Sequence, residues 1–420
     1  MTLTLVPPSP VLPAPVRPDP LGVLGVPGEI NLDHAASAPC ARAAADAVAG
    51  LLPWYASVHR GAGALSRRCT LAYEQARQTV GDFLGARPDD HVIFTRNTTD
   101  ALNLLARALP AGTTVITFGG EHHANLLPWP RGSVRLPVPD SPAGAVRSLA
   151  AALGELARDA RPGLPVLVAV TGAGNVTGEV WPIAELARVA HRHGARILVD
   201  AAQLAPHAPV DLAALDVDYV ALSGHKLYAP FGAGVLAGRA DWLDAAPPYL
   251  AGGGATSHVG AATHEVRWTT GPARHEAGTP NLLGAVALAA VCAALGEADR
   301  QALHVREQAL LTRLRRGLAT LPDVVELRMF GPDAPRVGIV SFVVAGRDSA
   351  DVAAHLASRH RIGVRDGLFC AHPLTRRLLA EAAARTGRTD LPPTALRASL
   401  GLGTTEPQVD ALLTALSHLP

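Results

Sequence analysis

The chain has 420 residues, 48% of them apolar and 17% charged, with a formal net charge of +1 at neutral pH. That composition supplies more core than one ordinary domain needs, so two domains are expected. It leaves no basic surface for nucleic acid or an anionic membrane, and no apolar run reaches the roughly 18–20 residues that cross a bilayer.

The first elements in chain order are punctuated by proline. Pro7, Pro8, Pro10, Pro13, Pro15, Pro18 and Pro20 mark residues 1–27 as an extended or disordered Pro-rich lead-in. It has neither the basic start nor the continuous apolar segment of a signal peptide. From about residue 75, helical patterns alternate with short β-branched runs. The runs are HVIFT (91–95), TVITF, VLVAV (166–170), RILVDA (196–201), DYVALSG (218–224) and AGVLAG (233–238). Helical stretches at 99–109, 144–159 and 183–193 separate several of them. Such alternation predicts βαβ units and an α/β fold with a mostly parallel sheet. After residue 280 an Ala/Leu-rich helix or helix pair (282–321) leads to VVELRMFG, GIVSFVV, IGVRDG and RASLGLG. These predict a smaller α+β C-terminal domain. The expected division is an extension over 1–27, a large domain over 28–285 and a small domain over 286–420.

Cys40, Cys69, Cys292 and Cys370 are far apart and form no CxxC pair. No metal site and no disulfide framework are expected, and a reducing cytoplasm fits the pattern.

In an open parallel sheet, ligands sit at the carboxyl ends of the strands. Polar residues follow five successive runs there: Asn97, Thr98 and Thr99; then Glu121, His122, His123 and Asn125; then Thr171 and Asn175; then Asp200 and Gln203; then Ser223, His225 and Lys226. Thr98 and Thr99 open a helix, where hydroxyls and N–H groups cap the helix or meet a phosphate. Asp200 reads as a turn residue or as a carboxylate for a pyridinium nitrogen. His123 reads as a surface histidine or as one lying flat on an aromatic ring. Lys226 is the sharpest feature, because it is the only lysine among 37 basic residues. Arginine stays protonated and cannot form an imine, so an enzyme that carries its cofactor as a Schiff base must keep this lysine.

The stretches NLDHAASAP, VHRGAGALSRR, FTRNTTDALN, EHHANLLPW, VDAAQ, ALSGHKLYAPFGAGVL, GGG and HEAGTPN occur in that order. From about residue 30 onward the chain resembles the class V aminotransferase superfamily, in its cysteine desulfurase and selenocysteine lyase branch. The resemblance implies the pyridoxal 5′-phosphate (PLP)-dependent transferase fold of type I and a homodimer with the active site at the subunit interface. It implies that Lys226 carries the cofactor and shuttles a proton, that Asp200 meets the pyridine nitrogen and Gln203 the phenolate oxygen, and that His123 stacks on the ring. Thr98, Thr99, Ser223 and His225 would hold the phosphate, with Thr279 reaching it from the partner subunit. Asn175 and Arg397 would bind the substrate carboxylate.

Cys370, in VRDGLFCAHPL, matches the persulfide-forming cysteine of that branch, and Arg365 the arginine of its loop. Such a cysteine must act as a thiolate, which Arg365 or His372 would favour. Leu368 and Phe369 stand where the family loop has two histidines, and an apolar approach works the other way. The segment between Cys370 and Arg397 is also longer than the family habit. The leading expectation is conversion of L-cysteine to L-alanine, with sulfur passing through Cys370 to an acceptor protein. The alternatives are a lyase, epimerase or aminotransferase acting on another amino acid, and a non-catalytic binding member.

Overall fold

The computed structural model describes residues 19–158, 163–262 and 264–419. Most of the expected Pro-rich extension lies outside the described residues. Its last part runs against the start of the fold, where Val23 bridges to Ala41.

Every β-branched run becomes a strand of one seven-stranded sheet. Across the sheet the order is Asp90–Thr95, Gly234–Arg239, Tyr219–Ser223, Arg196–Asp200, Val166–Thr171, Thr114–Phe118 and Val134–Leu136. Only Gly234–Arg239 runs antiparallel to its neighbours. The strands are apolar throughout because both faces are covered, as parallel sheets require. Alternate residues sort cleanly between the two faces. Val168, Val170, Ile197, Val199, Val220 and Leu222 join a core with the helices Ala64–Phe83, Pro142–Arg158, Ile183–Arg192 and Leu282–Glu297. Leu167, Ala169, Leu198, Tyr219 and Ala221 join the opposite core, under the helix Thr98–Ala108.

A second sheet, entirely antiparallel, runs in the order Val324–Leu327, Ile339–Val344, Ala395–Ser399 and Arg365–Gly367. The helices Arg300–Ala319, Ser349–His360 and Glu406–Ser417 give it its own core. This is the small α+β unit that the sequence predicts.

The packing divides the chain differently from the expected boundary at 285/286. Leu282–Glu297 is apolar on all faces up to its charged end, and most of it is buried, as such a helix requires. It packs within the large core, and the chain then bends by 92° into Arg300–Ala319. No single helix among the described residues is long and apolar enough to cross a membrane. At the other end, Ile30–Asn31 pairs in parallel with Ile362–Gly363, and Leu32 is buried in the small core. The start of the expected large domain therefore belongs by packing to the small unit.

A buried ion pair joins the two units. Arg336 Nη2 meets Glu179 Oε1 at 2.8 Å, with both side chains at most 1% exposed. Glu179 also accepts from the backbone N–H groups of Met329 and Phe330 and from the Thr177 hydroxyl. Gly178 (φ 75°) lets the turn press against the small sheet; a Cβ there would lie 2.7 Å from the Ile339 carbonyl oxygen. Replacing Glu179 with leucine removes the buried partner of the Arg336 guanidinium, leaving it only the less buried Glu326 at 3.2 Å, and strips the acceptor from the N–H groups of Met329 and Phe330. The expected loss is about 3–5 kcal/mol of folding stability, measured as a lowered midpoint of urea unfolding.

Candidate active site

The carboxyl ends of the parallel strands and the edge of the small sheet enclose a cavity of about 480 Å³. Its walls include Thr98, Thr99, Asn175, Asp200, Gln203, Ser223, His225, Lys226, Arg365, Cys370 and Arg397. Eleven of the thirteen site residues expected from the sequence thus meet at one place. His123 and Thr279 are not among them.

Lys226 sits in the turn after Tyr219–Ser223, where its N–H donates to the Ser223 carbonyl oxygen at 3.2 Å. Burial pushes its amine below the usual lysine range; Asp200 opposes that shift and Arg397 adds to it. Asp200 ends its strand 5% exposed, and Oδ1 accepts from the N–H of Ala202 at 3.0 Å. Burial raises its carboxyl above the usual range, and the lysine pulls it back down. Gln203 donates from Nε2 to the Ala35 carbonyl oxygen at 2.8 Å, which ties the segment Ala35–Ser37 over the cavity.

At the far end, the Thr98 N–H donates to Ser223 Oγ at 2.8 Å, and the two hydroxyls are 2.7 Å apart. The helix Thr98–Ala108 begins here, capped by the Asn97 side chain, which accepts from the N–H of Asp100. Gly234 makes room for that cap, since a Cβ would fall 2.5 Å from Asn97 Cα. A helix N-terminus with the hydroxyls of Thr98, Thr99 and Ser223 and the nearby His225 has the electrostatics that favour an anionic group. Burial, with Lys226 adding to it, lowers the His225 imidazole below its usual range. Its Nδ1 lies 3.4 Å from Ser37 Oγ.

His123, the residue expected to stack on a ring, does not line the cavity; its neighbour His122 does. It occupies the cap position of the short turn His123–Asn125, and its Nδ1 accepts from the N–H of Ala124 at 3.1 Å, which fixes the ring. Burial, reinforced by Lys226, pushes its imidazole down to about 3, so it is neutral. His123 turns instead toward the Cys370 loop: its N–H donates to the Cys370 carbonyl oxygen at 2.8 Å, and its ring lies 4.5 Å from that of His372. Thr279 is exposed in the loop before Leu282–Glu297 and does not reach this cavity within one chain.

The small unit supplies the rest. Arg397 is 3% exposed on the strand Ala395–Ser399. Its Nη1 donates to the Asn175 carbonyl oxygen at 2.9 Å and Nη2 to Asp33 Oδ1 at 3.1 Å, while Nε is buried without a partner. Cys370 is exposed and unpaired at the cavity wall, two residues before the helix His372–Thr386. Cys69 and Cys292 are buried. Among the described residues, no group of three or more His, Cys, Asp or Glu side chains is placed to hold a metal ion.

One residue behind the cavity carries no role in the sequence reading. Glu121 is 0% exposed, and its carboxyl accepts from Asn125 Nδ2 at 2.9 Å and the Thr171 N–H at 3.0 Å. Without a cationic partner, burial raises it to about 8, and Asp200 pushes in the same direction. It stands protonated beside His122. Sequence gives no signal of this, since a glutamate after a strand reads as a surface residue.

The Aminotransferase class-V family model matches residues 30–412. A cysteine desulfurase of Dickeya dadantii is 37% identical over 401 residues, covering 92% of this chain and 91% of that protein. A cysteine desulfurase of Klebsiella pneumoniae is 35% identical, covering 92% of each. Among solved structures, the cysteine desulfurase CsdA of Escherichia coli superposes with a TM-score of 0.76 at 32% identity, over 93% of this chain and 94% of that one. The apo cysteine desulfurase of Thermococcus onnurineus does so with a TM-score of 0.80, at the same identity and coverage. The chain belongs to the aminotransferase class-V family of pyridoxal-phosphate-dependent enzymes.

Glu121 gives the site a pH signature. Its carboxyl rises from an ordinary 4.5 to about 8 on folding, so the folded protein holds this proton more tightly than the unfolded chain. Its contribution to stability is full below about pH 4.5 and is lost as pH rises to about 8. Glu121→Gln removes that slope. The stability of the wild type relative to the variant should fall steadily across this window and level off above it, measured by urea unfolding at a series of pH values.

Proposed function

We propose that this enzyme is a cysteine desulfurase, which converts L-cysteine to L-alanine and retains the sulfur on Cys370 as a persulfide. One observation carries this reading: a single cavity gathers the only lysine, a buried carboxylate, a buried arginine and an exposed thiol. The donor set fits PLP. Lys226 would hold its aldehyde carbon, Asp200 its ring nitrogen and Gln203 its phenolic oxygen. His122 would lie against the ring, while Thr98, Thr99, Ser223 and His225 would hold the phosphate. Thr279 would complete that end from the partner subunit of a homodimer. When bound, PLP withdraws electrons from the substrate and makes the bonds at its Cα labile.

The chain's own residues do the rest. Arg397 and Asn175 bind the substrate carboxylate; the unpartnered Nε of Arg397 shows that its hydrogen-bonding capacity is not spent within the chain. Lys226, with its amine depressed by burial, serves as the base that takes the Cα proton. Cys370 attacks the substrate sulfur as a thiolate, and the new S–S bond replaces the bond from that sulfur to Cβ. The electron pair stays on the carbon side, which takes up a proton and leaves as alanine. Arg365, on the adjacent strand, faces the same space. The exposure of Cys370 suits hand-over of sulfur to an acceptor protein, and a thiol with this role needs a reducing compartment such as the cytoplasm.

The tests are direct. Cys370→Ala should keep the yellow absorbance of the bound cofactor while alanine and sulfide formation from L-cysteine fall to background. Undiminished turnover in that variant excludes the persulfide route. Lys226→Ala should lose both the absorbance and, by about a hundredfold or more, the turnover.

A further inference from the structure

We infer that Phe369 is a positioning residue that couples the carboxylate receptor Arg397 to the thiol of Cys370. This rests on the reading above, in which Arg397 receives the substrate carboxylate. The Phe369 ring lines the cavity at 7% exposure, with the Arg397 Cζ 5.1 Å from its centroid. That is within the range of cation–π attraction. The bonds from Arg397 to Asn175 and Asp33 fix two edges of the guanidinium. They leave its face unsupported, and the aromatic ring takes that face.

The same residue is tied back to Asn175, whose Nδ2 donates to the Phe369 carbonyl oxygen at 2.8 Å. Asn175, Arg397 and Phe369 therefore close a ring of contacts around the place where a carboxylate would bind. The backbone adds a second reason to see a device here. Phe369 (φ 54°) and Cys370 (φ 51°) are consecutive left-handed residues, and both carry a Cβ. That conformation is disfavoured for each, and it persists only where surrounding contacts impose it. The contacts are the Asn175 bond, the bond from the His123 N–H to the Cys370 carbonyl oxygen, and the Ala371 N–H on the Leu368 carbonyl oxygen at 2.9 Å. A ligand that engages Arg397 and Asn175 therefore acts on the residue that sets the pose of Cys370. A side chain that merely filled space would need volume at this position and no aromatic face.

The experiment compares the wild-type holoenzyme with Phe369→Leu, Phe369→Tyr and Arg397→Gln. L-alanine affinity is measured by calorimetry. The rate of Cys370 alkylation by iodoacetamide is followed by peptide mass, with and without L-alanine. Phe369→Leu should weaken L-alanine binding about fivefold to tenfold and abolish the effect of L-alanine on the alkylation rate. Phe369→Tyr, which keeps the ring, should restore both. If Arg397→Gln loses affinity while Phe369→Leu binds within twofold of wild type, the positioning role is wrong. A wild-type alkylation rate that ignores L-alanine sinks the link to Cys370. If Arg397→Gln binds L-alanine like the wild type, the carboxylate assignment itself fails. Should Phe369→Leu not fold, Phe369→Met carries the same comparison with the same two outcomes.

Discussion

A single amine has to be buried at the end of an apolar sheet, and the rest of the site is arranged around that constraint. Removing a charge from water is costly unless partners and hydrogen bonds offset it. The carboxyl edge of a parallel sheet is where a fold can meet that demand, because every strand there gives way to a turn with free polar groups. Lys226 and Asp200 come from the ends of neighbouring strands and hold each other's shifts in check. Thr98 and Ser223 satisfy one another across the same edge, and Gln203 ties down the entering segment at Ala35.

The other half of the cavity depends on how the two units meet. Glu179, which pairs with Arg336 of the small unit, sits in the turn that continues from Asn175. The same turn accepts hydrogen bonds from Ser341 at Val176 and from Val337 at Gly178. These contacts set the register between the large sheet and the small one, and so place Arg397 opposite Lys226. The small unit also needs the strand Ile30–Asn31, so the entering chain, Asp33 and Arg397 lock together. Arg397 and the polar groups at the strand ends thus come from separate cores held by one junction.

Much of this was legible in the residues because each signal rests on a local physical requirement. Strands covered on both faces must be apolar throughout, and the β-branched runs from 91 to 238 say so. Polar residues placed directly after those runs have to collect at one edge. Lys226 stands out because arginine serves every other basic position. Other placements needed information no local pattern holds. His122 and His123 are adjacent and chemically identical, and only the turn capped by His122 decides which ring faces inward. Leu282–Glu297 reads equally well as a linker or as a core helix until its neighbours are known.

Periodicity and residue type are local facts, and from them alone follow the sheet, the gathering of polar groups at its carboxyl edge and the place of the single lysine there. Which histidine faces the cavity, the burial of Glu121 without a cation and the packing of Phe369 against Arg397 come from the folded arrangement. Each of these depends on where a side chain points and on what distant segment covers it. Side-chain direction in a turn and burial by a remote strand follow from packing, and packing is settled by the whole chain at once.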